Sequence, residues 1–141
     1  MKAINILLIE DNEGDILLTR EAFEESKLVN NLITIKDGKE AINFFESLRY
    51  VEDFPQLVLL DVNLPKISGH EVLIYIKSSE KYRSIPVIML TTSSSEKDVM
   101  KSYKNHANCY ITKPIDVDDF MKAMQKIEEF WINTVSVPVN Q

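Results

Sequence analysis

One cysteine in 141 residues leaves the chain unable to close a disulfide on itself, which fits a reducing compartment. Positive charge is also scarce: 16 lysines and arginines stand against 22 acids, for a net charge of -6. Nucleic acids and anionic membrane surfaces select a basic face, so neither is expected as a partner. Long apolar runs are missing too. None approaches the roughly 18 residues a spanning helix requires. The first run, Ile4 to Ile9, is too brief for a secretory signal and stops at two acids. There is no internal repeat and no low-complexity segment. The expectation is a soluble, cytoplasmic chain forming one domain, with 45% hydrophobic and 27% charged residues as in ordinary globular proteins.

What is present centres on Leu57-Val58-Leu59-Leu60-Asp61-Val62-Asn63-Leu64-Pro65. A continuous apolar run of this length reads as a strand buried on both faces, as in parallel sheets covered by helices. It ends in a carboxylate, and buried strands seldom deliver charge without a partner or a task for it. Around it, strand-like runs at residues 4–9, 32–35, 85–91 and 109–112 alternate with helical patterns. The helices are expected at about 15–26, 39–48, from a Ser68 cap through Ile76, from Ser93-Ser94-Ser95-Glu96 through Tyr103, and from Asp116 or Val117 onward. Such alternation implies an α/β fold, a parallel sheet with helices on both faces.

In open sheets of this class ligands bind at the carboxyl ends of the strands. The first strand leaves at Glu10-Asp11, the third at Asp61, the fourth at Thr91-Thr92 and the last at Lys113-Pro114. Three acids with one ammonium as counter-charge are poorly balanced. Two carboxylates about 4 Å apart repel by roughly 4 kcal/mol at an effective dielectric near 20. A hard divalent cation resolves this, and Mg²⁺ suits one or two carboxylates together with waters and substrate oxygens. Such a site positions a phosphoryl donor. Taken singly, each residue has an ordinary reading: Asp61 as a turn-capping acid, Glu10 and Asp11 as a helix start, Thr91 as a β-branched strand residue, Lys113 as a solvated charge. Their joint placement favours chemistry.

Glu10-Asp11, Asp61, Thr91 and Lys113-Pro114 resemble the signature of response-regulator receiver domains of two-component signalling, a resemblance that covers nearly the whole chain. It implies a flavodoxin-like receiver over residues 3–134, with five parallel strands in the order 2-1-3-4-5, five helices, and residues 135–141 as a loose tail. Asp61 would accept phosphate from a phosphohistidine on a partner kinase. Asp11, Asp61 and the backbone carbonyl of Asn63 would hold Mg²⁺, with Glu10 acting through a water. Lys113 and Thr91 would contact the phosphoryl oxygens, Tyr110 would be the switch aromatic, and a cis bond would join Lys113 to Pro114. The run Glu10-Asp11-Asn12-Glu13-Gly14-Asp15, with Leu17-Leu18-Thr19-Arg20, Thr91-Thr92-Ser93-Ser94 and Phe130-Trp131, is similar to single-domain regulators served by phytochrome-type histidine kinases. That narrower resemblance implies a red-light relay, an unidentified downstream protein and a homodimer formed through the C-terminal region.

Several readings remain open from sequence. A Mg²⁺ phosphohydrolase passing through an aspartyl-phosphate would need an acid two residues after the nucleophile, and Asn63 stands there. A flavin- or nucleotide-binding protein would want a glycine- or hydroxyl-rich loop where Glu10-Asp11 lies. A receiver used only as an interaction module is the third. Tyr110 reads equally as a plain half-buried aromatic. Phe130 and Trp131 read either as a helix end tucked over the core or as the dimer surface. His70 and His106, placed on helical surfaces without metal-ligand spacing, are expected to be structural or solvent-facing.

Overall fold

The computed structural model describes residues 3–25, 29–91, 106–107, 109–112 and 117–129. Five strands, β1 (Ile4–Ile9), β2 (Asn30–Ile35), β3 (Leu57–Asp61), β4 (Val87–Thr91) and β5 (Cys109–Thr112), alternate with helices α1 (Glu13–Glu24), α2 (Gly38–Ser47), α3 (Gly69–Ser78) and α4 (Val117–Glu128). The strands pair in parallel in the order β2-β1-β3-β4-β5. Four α-helices lie among the described residues; the helix expected after Ser93-Ser94-Ser95-Glu96 lies outside them.

The sheet divides two cores by the period-2 alternation of its strands. Leu7, Ile9, Val58, Leu60, Val87 and Met89 face α2 and α3, meeting Ala41, Phe45, Val72, Leu73 and Ile76. Ile6, Leu8, Leu57, Leu59, Ile88 and Leu90 face the other way, where Ile16, Ala22 and Phe23 of α1 and Met124 of α4 cover them. Every residue of β3 is buried, which is why its sequence shows no polar alternation. Each large apolar side chain buried here contributes roughly 1.5–3 kcal/mol.

Helix starts are set by side-chain caps. Asn12, Asp37 and Ser68 accept from the backbone N–H of Asp15, Glu40 and Glu71 at 2.9, 2.7 and 3.3 Å. The Ser68 cap agrees with the sequence. The first helix begins earlier than expected, at Glu13, because Asn12 rather than the acids around it takes the cap position. The fourth strand begins after Pro86, whose carbonyl accepts from Val58 N at 3.0 Å. His70 is buried in the first turn of α3, a structural position. His106 is exposed and sits in a turn at φ 69°, not on a helix.

Candidate functional site

Register brings the strand exits together. Ile9 pairs with Leu60 across β1 and β3, so the next residues, Glu10 and Asp61, leave the sheet side by side. Asp61 pairs with Leu90 across β3 and β4, and Thr91 follows and pairs with Thr112. Glu10, Asp11 and Asp61 each offer a carboxylate oxygen within 4.8 Å of the other two. Glu10 and Asp61 are only 1% and 6% exposed, whereas Asp11 opens to solvent.

Short local bonds orient two of these acids. Glu10 Oε2 accepts from Asn12 N at 3.3 Å, and Asp61 Oδ1 accepts from Asn63 N at 3.1 Å. The loop after β3 turns back on itself at once: Val62 N donates to Leu90 O at 3.0 Å, and Gly69 N donates to Val62 O at 2.9 Å. A Cβ at residue 69 would meet the Asp61 carbonyl at 2.1 Å, so only glycine lets α3 start against the backbone of the acid. Nothing in this sequence alone distinguishes Gly69 from a helix-capping glycine. Asn12 was findable, as an Asx residue three positions before an acid.

The donor set is chemically consistent with a hard divalent ion: all oxygen, largely buried and negative. Even at the 4.8 Å limit of their separation a pair of ionised carboxylates repels by roughly 3.5 kcal/mol at an effective dielectric of 20. A divalent cation held by these acids would offset that cost. Thr91 and Tyr110 are placed by backbone, at the end of β4 and opposite Met89 in β5, while the roles of their side chains lie outside what the structure describes. Lys113 and Pro114, with their expected cis bond, and Phe130 and Trp131 lie outside the described residues.

The pattern of the response regulator receiver domain matches residues 6–125. Response regulator Rcp1 of Synechocystis is 44% identical over 135 residues, which is 94% of this chain and 92% of that protein. The crystal structure of the Mn(2+)-bound form of Rcp1 superposes with a TM-score of 0.89 at 43% identity, over 96% of this chain and 99% of that one. The phosphorylated cyanobacterial phytochrome response regulator RcpA gives 0.92 at 40% identity, over 97% and 99%. The probable methanogenesis regulatory protein FilR2 of Methanothrix harundinacea is 42% identical over 131 residues, 90% of this chain and 83% of that protein. Agreement of this extent, in sequence and backbone path alike, makes the chain a member of the response regulator receiver domain family.

Proposed function

We propose that the chain is a response regulator that accepts a phosphoryl group on Asp61 from the phosphohistidine of a histidine kinase, in a Mg²⁺-dependent reaction. The observation that carries this reading is the convergence of Glu10, Asp11 and Asp61 at the carboxyl edge of the sheet. Asp11, Asp61 and the Asn63 carbonyl would hold the ion, with Glu10 acting through a water. The ion supplies neutralisation of the charge spread over the phosphoryl oxygens. Asp61 is held by the Asn63 N–H and supplies the attacking oxygen. One O–P bond forms as the P–N bond breaks, and the imidazole departs with the electron pair.

Phosphorylation adds nearly two negative charges and three acceptor oxygens at this edge. Lys113 and the Thr91 hydroxyl are the groups assigned to read that charge, and Tyr110 the residue assigned to export the change. Kinship with Rcp1 and RcpA supports a phytochrome-type light-signalling relay in the cytoplasm, with a downstream protein that recognises the altered surface. Phe130 and Trp131 are assigned to a homodimer interface. Truncation after Glu129 is therefore expected to lower the dimer fraction in analytical ultracentrifugation, and an unaltered sedimentation profile refutes that interface.

Receiver domains are signalling proteins, and the site favours storage of the phosphoryl group over turnover. Asn63 occupies the place where a phosphohydrolase would need an acid, and its amide can neither give nor take a proton at neutral pH. With Mg²⁺ and acetyl phosphate the chain is expected to gain one acid-stable, base-labile phosphate. Asp61→Asn is expected to reduce the label to background, and labelling of that variant at the wild-type rate would refute the acceptor assignment.

A further inference from the structure

The loop between β3 and α3 contains a strained turn that the acids themselves do not explain. Ile67 N donates to Pro65 O at 2.8 Å, closing a three-residue γ-turn whose central residue, Lys66, has φ 67°. A γ-turn with positive φ at a residue bearing a Cβ is rare and persists only where its surroundings hold it.

Those surroundings are the first residues of α2. Gly38 N approaches the same Pro65 carbonyl at 3.4 Å. A Cβ on Gly38 would lie 2.0 Å from the Ile67 carbonyl oxygen and 2.8 Å from the Ile67 Cβ. No glycine among the described residues has positive φ, so contact, not backbone conformation, requires glycine at this position. Asp37, one residue earlier, caps α2 through Oδ1 and turns Oδ2 toward Lys66 Nζ at 3.6 Å. The Asp37-Gly38 turn thus presses on the loop at Pro65, Lys66 and Ile67, two to four residues beyond Asn63.

We propose that the Asp37-Gly38 turn and the strained Lys66 turn are a positioning device for the cation site, fixing the height of the loop that carries the Asn63 carbonyl. The inference rests on the reading that this carbonyl and the acids hold the ion. The device works by pre-organisation: the loop's conformational freedom is removed by a rigid neighbour before the ion arrives, so ion binding need not order it. Asp37, Gly38 and Lys66 are positioning residues, since none is assigned to the ion or the phosphoryl group.

The test uses Gly38→Ala and Lys66→Gly in the full chain. In EDTA, amide hydrogen exchange at Ile67 and Gly69 is expected to accelerate in both variants relative to wild type. By calorimetric Mg²⁺ titration well below the melting temperature, Gly38→Ala is expected to weaken affinity by about tenfold. Lys66→Gly is expected to weaken it about threefold while leaving Tm equal or higher, because glycine relieves the positive φ but loosens the turn. Labelling by acetyl phosphate should be slow at low Mg²⁺ and recover at saturating Mg²⁺, which a merely unfolded fraction would not do. Should Gly38→Ala fail to fold, the exposed Lys66→Gly decides alone. Wild-type Mg²⁺ affinity and wild-type exchange in a folded variant overturn the proposal. Titration of wild type and Asp11→Asn separates the two failures. No binding by wild type refutes the cation reading itself, whereas binding lost only in Asp11→Asn refutes the positioning device alone.

Discussion

At the amino end of the sheet, Asn5, Asn31 and Gln56 close on one another. Asn5 N donates to Gln56 Oε1 at 3.1 Å, Gln56 N returns a bond to Asn5 O at 2.8 Å, and Asn31 Nδ2 donates to Asn5 Oδ1 at 3.3 Å. At the carboxyl end, Glu10, Asp11 and Asp61 crowd within 4.8 Å, and as carboxylates they cannot donate to one another. An amide carries both donors and acceptors, so a cluster of amides can satisfy itself. Ionised carboxylates only accept, so a cluster of them is completed from outside. Lys77, a charged group beside the start of β4, also finds its partners within the chain, with Nζ donating to the carbonyls of Arg83 and Ile85 at 3.0 and 2.7 Å. The amides of the amino end bond to one another, with Gln56 Nε2 left buried and without a hydrogen-bond partner among the described residues, whereas the carboxyl end presents an acid cluster that fits a divalent cation.

The contrast is broken most completely by labelling. Asp61→Asn should lose acetyl phosphate labelling to background while Asn5→Ala labels at the wild-type rate; a comparable loss in both would show that the two ends do not differ in kind. Stability should divide the other way. Asn5→Ala forfeits a hydrogen-bonded network and is expected to lower the urea unfolding free energy by about 1–3 kcal/mol. Asp61→Asn, measured in chelator, is expected to raise it by about 1–2 kcal/mol through relief of repulsion. Mg²⁺ at ten times its dissociation constant should stabilise wild type by about 1.4 kcal/mol and leave Asp61→Asn unmoved in the same melts. The smallest effect concerns Lys77, whose pKa burial lowers below the ordinary 10.5. The unfolded chain then holds this proton to higher pH than the folded one, so stability rises with pH between the lowered value and 10.5. Wild type should therefore gain on Lys77→Met as pH climbs through that window, and parallel pH profiles would remove the burial argument.

The parts of this molecule legible in sequence are those written in runs and periods. β3 is an unbroken apolar run because both its faces are covered, and the acids fall at strand exits because a charge cannot be carried further inward. The resemblance to receivers added the order of the strands. What stayed illegible depends on contacts between distant backbones. Gly38 and Gly69 look like helix-start glycines, yet their value lies in the carbonyls of Ile67 and Asp61 that a Cβ would strike. The Tyr82 hydroxyl, donating to Phe45 O at 2.6 Å between the rings of Phe45 and Phe54, gave no sign of its partners either. His70 showed a polar residue at a helix start, and its burial follows from the tight approach of α3 to β3.

The parallel pairing of β1 with β3 has a consequence for how the chain is made. Glu10 is synthesised early and Asp61 much later, with β2 and α2 between them, and only the register of the two strands sets them side by side. Contacts of such sequence separation form late, after loop closure has been overcome. Competence to bind a cation at these acids therefore arises only with the assembled sheet. A full-length but partly unfolded copy carries Glu10, Asp11 and Asp61 without the strand register that brings their carboxylates together.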